Sequence, residues 1–308
     1  MTAVGIINFR HDMINRAARW IQAYDGQGIH RSTSPADERS AEWLASEAAE
    51  GGAHVQIDEF PFERVEPIAS YVEVDGIRIA GQPLFDSPFT NAEGIDGTLG
   101  HLGSDARIGL AEYSPHEVYD EAFYRARVAW PHEGVVLITK SVRPGFALLN
   151  AEHYLCPSGP TVVQVSSLER DQLTAAALRN APVRLVNCAK RVPARMKNVV
   201  ATIKGTRPDR SPLVVMTPRS AWWNCASERG GGIVCWLEVL RALAASPPTS
   251  DVIFTANSGH ELGHIGLTDF MSRRPALATT ATWLHFGANI GARGAKHSLY
   301  SAHEELAG

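Results

Sequence analysis

The chain has little of what would mark an extreme class. Its 308 residues hold four cysteines, Cys156, Cys188, Cys225 and Cys235, and no two of them form a C-x-x-C pair. That is too few for a disulfide scaffold and points to a reduced compartment. No segment approaches the roughly 20 apolar residues of a membrane-crossing helix. The first residues, MTAVGIINFRHDMINRAARW, carry neither a long apolar run nor a secretory cleavage pattern, so a cytoplasmic protein is expected. Neither sign of charge dominates: 29 Lys and Arg face 33 Asp and Glu, a formal net charge of -4. Nucleic acid and anionic membranes call for clustered cations, so neither is expected as a partner. The apolar fraction of 44% is ordinary for a globular chain, and the length suffices for a sizeable core and two domains.

Residues 31 to 52 read as a helix with its punctuation. Ser34 is placed to cap it, Pro35 suits the first helical position, Asp37 stands where a capping-box acid would sit, and Gly51 fits the stop. The run HVQIDEFPF alternates as an edge-type strand. From about 80 to 190 the texture changes. Gly, Pro and Asp punctuate short apolar runs, GVVLITK, TVVQVSS and VRLVN, with a short helical pattern in LERDQLTAAALRNA. This segment is expected to form a separate β-rich module, inserted between residues 1–79 and 191–308. From 198 onward strands and helices alternate: NVVATIKG, SPLVVMTP, the helix GGIVCWLEVLRALAAS, DVIFTANS, the helix ELGHIGLTDFMSRR, and TATWLHFG. Such alternation means a mostly parallel sheet flanked by helices, with its site at the carboxyl ends of the strands. Those ends are Thr217 to Trp223, Ser258 to Glu261, and His285 to Asn289.

One short motif stands out. His260-Glu261-Leu262-Gly263-His264 fits the zinc-protease pattern His-Glu-x-x-His, which on a helix would put both imidazoles on one face. The strand DVIFTANS directly before it predicts instead a strand-to-helix junction, with His264 about one turn into the helix.

In this order of elements the chain resembles the di-zinc aminopeptidases, relatives of leucyl aminopeptidases and glutamate carboxypeptidases. The likeness covers most of the chain. It implies a zinc exopeptidase-like α/β fold with a protease-associated-like β domain inserted at 80–190, the C-terminal part of the α/β domain being short. Carried across residue by residue, the family's His-x-Asp falls on Thr217-Pro218-Arg219. Its bridging Asp falls on Glu228, its Glu-Glu-x-Gly on His260-Glu261-Leu262-Gly263, and its later Asp ligand near His285, or on a register ending at Ala288. The last zinc-binding His of the family would lie beyond Gly308, which leaves open a truncated product. A ligand His is thus Thr, the orienting Asp is Arg, and the base is His.

Glu228, His260, Glu261, His264 and His285 together offer two carboxylates and three imidazoles, enough for one zinc or another divalent metal with an open position. The alternative is a remodelled pocket without metal. Arg219 is a candidate for gripping a substrate carboxylate or an oxyanion, and Trp222 and Trp223 for packing an apolar group, against a structural role as loop anchors. Cys225 near His260 invites a nucleophile pair, with an inert buried thiol as the plainer reading. Gly230 to Gly232 would cradle an anion at a helix start or allow close packing. The expected function is an aminopeptidase-like hydrolase acting on an amide or peptide bond of a small substrate, with His260, Glu261 and Arg219 at its centre and a possible homo-oligomer. The alternative is an inactive relative that serves in binding or assembly.

Overall fold

The computed structural model describes residues 3–118, 121–207, 209–296 and 298–301. Helices α1 (Ala3–Asp25) and α2 (Pro35–Glu50) come first, then strands β1 (His54–Val74), β2 (Ile77–Pro83), β3 (Ile95–His101) and β4 (Ile108–Tyr113). Helix α3 (Ala122–Ala129), strands β5 (Gly134–Thr139) and β6 (Thr161–Val165), helix α4 (Arg170–Leu178) and the long strand β7 (Pro182–Ile203) follow. The last third holds β8 (Leu213–Pro218), α5 (Ala226–Ala245), β9 (Val252–Asn257), α6 (Ile265–Arg273), α7 (Leu277–Thr280) and β10 (Thr282–His285). Two compact units result. One takes Met1–Phe60, Arg195–His260 and Ile265–Gly308; the other takes Pro61–Ala194 and Glu261–His264. Strands β1 and β7 each run from one unit into the other.

In the first unit β8 is the hub, parallel to β9 on one side and to β10 on the other, while β7 pairs antiparallel with β9. Its residues LVVM can be apolar throughout because both faces are covered. On one face α1, α2 and α5 bring Trp20, Leu44, Trp236 and Leu240 against Val215 and Phe254, with Trp236 edge-on to Phe254 at 5.3 Å. On the other, Phe270 of α6 and Leu277 close over Val200 and Val214. Fully burying one such side chain contributes roughly 1.5–3 kcal/mol. The register pairs Pro218 with Asn257 and Met216 with His285, so the three strand ends lie side by side.

Helix α2 forms as its punctuation predicts. Ser34 Oγ accepts from the Asp37 N–H at 3.2 Å, Pro35 opens the helix and Gly51 closes it. Helix α1 has no counterpart in the sequence reading. The helix expected to begin at Glu261 begins at Ile265.

In the second unit β3, β4, β5 and β6 run parallel, with β2 antiparallel to β6 and β3 antiparallel to β7. Every residue of β5 and β6 is buried, which their continuous apolar runs require. Helix α4 lays Leu173, Ala176 and Ala177 over Ile108, Val136 and Val163. Opposite them, Phe123 of α3 joins Leu84, Val135, Leu137 and Val162. Gln164 is fully buried among the valines of β6; its Oε1 accepts from Leu149 N at 2.8 Å and its Nε2 donates to Pro83 O at 3.2 Å.

Candidate functional site

The end of β8 turns into a buried polar knot. Thr217 Oγ1 donates to the Phe286 carbonyl at 3.0 Å. Two residues on, Arg219 is fully enclosed, and its Nη1 lies 2.7 Å from Asp37 Oδ1. The same nitrogen also donates to the Asp37 carbonyl, and Nη2 donates to the Lys197 carbonyl at 2.8 Å. Asp37 Oδ2 accepts from the Thr33 N–H at 2.8 Å and from Ser258 Oγ at 2.7 Å. Tyr24 closes the knot by donating its hydroxyl to the Arg219 carbonyl at 2.7 Å. Asp37, expected as a capping-box acid, is therefore the acceptor that collects one N–H ahead of the helix, a strand-end serine and a guanidinium. Ion pairs buried this deeply need such extra hydrogen bonds, because desolvation would otherwise outweigh their attraction.

The loop after Arg219 is tied to the segment before α2. Ala221 N donates to His30 O at 2.9 Å, and His30 N donates to Trp223 O at 3.1 Å. Trp222 is nearly buried, with the Arg31 guanidinium 6.0 Å from its ring centre, and Trp223 is half-buried. His30 stacks flat on Tyr24, ring centres 3.7 Å apart. Burial pushes its pKa down to about 4, against the opposing pull of its hydrogen bond with the Asn224 carbonyl, so the ring is neutral near pH 7.

The HELGH stretch is not a run of helix. His260–Leu262 forms a single 3-10 turn between β9 and α6. Gly259, Gly263 and His264 all take positive φ, 77°, 70° and 57°. The left-handed His264 stands immediately before α6, so the two histidines do not share a helical face as a spacing of four would give. Ser220 Oγ accepts from the N–H groups of Gly259 (2.9 Å) and His260 (3.4 Å), and Ser32 Oγ accepts from Gly259 at 3.1 Å. Glu261 is 3% exposed, and its carbonyl accepts from Ala151 N at 2.8 Å. His260 and His264 are half-buried and His285 is exposed.

Glu228 opens α5 and lies 2.9 Å from Arg229 Nη2, whose own Nε donates to the Ser220 carbonyl. Burial, with the neighbouring Glu228 charge second, pushes the Cys225 thiol up to about 12. A thiol held there is protonated near neutral pH and is no nucleophile. The three glycines after Arg229 serve packing. A Cβ at Gly231 would stand 1.3 Å from the Ile290 carbonyl oxygen, and one at Gly232 would stand 2.7 Å from Thr217 Oγ1. The backbone of Phe286 to Ile290 thus occupies the space beside the helix start, with Asn289 N donating to Glu228 O at 2.8 Å.

These residues do not fit a pair of zinc ions. Thr217 spends its hydroxyl on Phe286, and Arg219 brings a permanent cation where the resemblance places a metal-orienting acid. Among the described residues no three His, Cys, Asp or Glu side chains gather as a metal-holding group. Sequence reasoning passed over Asp37 and His30 as members of this region. Nothing local in GIHRS or PADER marks them.

No family model matches the chain, and no curated protein matches it. Solved structures do. A zinc aminopeptidase from Bacillus subtilis superposes with a TM-score of 0.70 at 18% identity, covering 88% of this chain and 68% of its own. An aminopeptidase from Aneurinibacillus sp. strain AM-1 gives 0.64 at 17%, covering 89% and 69%. A peptidase M28 precursor from Shewanella amazonensis SB2B gives 0.66 at 15%, covering 90% and 75%. The fold of this chain is the zinc aminopeptidase-like α/β fold.

Proposed function

We propose that the chain is a peptide-binding protein on a zinc aminopeptidase-like fold, whose strand-end site works without paired metals. The observation behind this reading is the buried Arg219–Asp37 pair. It is neutral as a whole and tied into hydrogen bonds through both Arg219 Nη atoms and both Asp37 carboxylate oxygens, so neither partner offers charge to a metal. In this reading Arg219 holds the loop that carries Trp222 and Trp223, and those rings, with His260 and His285, meet the ligand. The ligand class follows the solved neighbours, two aminopeptidases and a peptidase.

A second reading keeps catalysis. It is favoured by backbone strain around Glu261, where non-glycine His264 and two glycines hold positive φ. Strain of this kind gathers at functional turns, at about 1–3 kcal/mol for each non-glycine residue. In that reading Glu261 is the general base of an amide hydrolase and His260 assists it.

Peptide and aminoacyl-anilide panels separate the two. Binding followed by calorimetry and cleavage followed by mass spectrometry are measured with and without a chelator. Binding without cleavage, indifferent to the chelator, is the expected result. Chelator-insensitive cleavage that disappears in Glu261→Gln moves the assignment to the second reading. Chelator-sensitive cleavage by a chain carrying two zinc ions would sink both.

A further inference from the structure

A cleft of about 560 Å³ opens on the second unit, within the roughly 300–1,000 Å³ of small-molecule sites. Ile95, Val128 and Trp130 form its apolar wall, and Tyr124, Glu133 and Ser158 supply polar groups. Trp130 follows the last residue of α3 and is 48% exposed. Its indole has a fixed seat on the loop after β3. A Cβ at Gly103, where φ is 93°, would stand 3.1 Å from the indole Cε2, so a side chain there would push against the ring. His132 pins that loop: its Nε2 accepts from Gly103 N at 3.0 Å, and its Nδ1 donates to the Ala106 carbonyl at 2.7 Å. A large apolar ring held in place with half its surface in water gains by being covered.

The charges narrow what covers it. Glu133 is the carboxylate among the described lining residues, and it is already paired. Arg107 donates to its two oxygens, Nε at 2.6 Å and Nη2 at 2.7 Å, and Arg107 Nη1 donates to the Asp96 carbonyl at 2.6 Å. An anionic ligand would meet Glu133 and a cationic one would meet Arg107, so a neutral ligand is favoured. Each Glu133 oxygen keeps a lone pair for a further donor. The Tyr124 and Ser158 hydroxyls, 3.0 Å apart, can each donate and accept. Ligand hydroxyls, which also do both, match this set. A proline-rich peptide would call for a groove between aromatic rings. The Tyr124 ring is already packed on His153, ring centres 4.0 Å apart, which leaves the Trp130 indole as the free platform.

We propose that this cleft binds a neutral sugar, a pyranose whose equatorial hydroxyls leave one face of axial C–H groups to lie on Trp130. Its hydroxyls bond Glu133, Tyr124 and Ser158. The site is separate from the strand ends and does not depend on the function proposed there.

Calorimetry on the full chain with cellobiose, methyl β-D-glucoside, methyl β-D-glucuronide and methyl β-D-glucosaminide tests this, at about pH 6 so that the amine is protonated. Cellobiose and the glucoside are expected to bind at millimolar concentration or below. The glucuronide and the glucosaminide should each bind at least about threefold more weakly than the glucoside. Trp130→Ala should weaken cellobiose by at least about tenfold and Tyr124→Phe by at least about threefold, with thermal unfolding close to that of the wild type. Trp223→Ala, at the strand ends, should leave cellobiose affinity unchanged. No binding of either neutral sugar at about 10 mM overturns the proposal. So does a charged analogue that binds as well as the glucoside, or cellobiose binding that is lost in Trp223→Ala and kept in Trp130→Ala. Binding of decaproline without binding of cellobiose, or a dimer of the chain that Trp130→Ala dissolves while neither sugar binds, assigns the cleft to another occupant and overturns it as well.

Discussion

Arg219 and Asp37 meet 2.7 Å apart with side chains 0% and 2% exposed, across 182 residues of sequence. Breaking such a pair from one side leaves a buried charge uncompensated. Arg219→Ala is therefore expected to cost about 3–5 kcal/mol in urea unfolding. Asp37→Asn should cost a similar amount, because it leaves buried a guanidinium that cannot shed its charge, even though the amide oxygen can still accept from Thr33 or Ser258. The double variant Asp37→Leu with Arg219→Met should recover much of the loss. A loss under about 1 kcal/mol in Arg219→Ala, the range of an exposed pair, would show that the guanidinium reaches solvent.

Stability should fall with acid through His30. Its folded pKa of about 4 lies below the ordinary 6.5, so between these values the unfolded chain binds a proton that the folded chain refuses. The contribution is complete above pH 6.5 and is lost as pH falls toward 4. At 1.36 kcal/mol per unit, the full difference is roughly 3 kcal/mol. His30→Gln should flatten this part of the stability profile. An unchanged slope between pH 6.5 and 4 in that variant would remove His30 as its source.

How far the chain could be read beforehand depended on the distance over which each residue acts. Ser34, Pro35 and Gly51 act within one helix, and the helix stands where they place it. The runs LVVM and VIF are apolar because both sheet faces are covered, which depends only on fold class. Asp37 defeats local reading, since its partners Arg219 and Ser258 are 182 and 221 residues away. HELGH misleads for the converse reason: the residue types match a helical pattern, while Gly259, Gly263 and His264 bend the backbone away from it. The adjacency of the ends of β8, β9 and β10 was legible, and the packing of Phe286 to Ile290 over the glycines was not.

Thiol chemistry gives a third expectation. Cys225, held protonated with a pKa of about 12, should resist iodoacetamide at pH 8, whereas the exposed Cys156 should react first. Peptide mapping after partial labelling reads this directly. Early modification at Cys225 would reopen it as a nucleophile.

Gly231 offers a steric test. Its missing Cβ makes room for the Ile290 carbonyl, so Gly231→Ala must displace residues 286–290 or strain α5. A loss of about 1–3 kcal/mol is expected, typical of overpacking, even though alanine favours helix more than glycine does. Gly230→Ala meets only the Ile21 side chain, at 3.2 Å, and should be milder. A reversed order would mean that the 286–290 segment packs elsewhere.

The last expectation concerns metal at HELGH. In a helical His-Glu-x-x-His site, His260 and His264 would hold the ion and Glu261 would be the base. His264→Ala would then empty the site, and Glu261→Gln would leave it full. Here a 3-10 turn and a left-handed His264 separate the two imidazoles from a common helical face. A site at the junction would instead use Glu261 itself, so Glu261→Gln would lose metal and His264→Ala would keep it. With Thr217 and Arg219 committed to the buried knot, a third outcome is expected: no stoichiometric zinc in wild type or in either variant. Mass-spectrometric metal analysis of protein purified without added metal, then dialysed against zinc, distinguishes all three. About one zinc per chain in the wild type and in Glu261→Gln, with none in His264→Ala, would overturn the junction geometry. Zinc lost only in Glu261→Gln would overturn the metal-free reading and leave the junction standing.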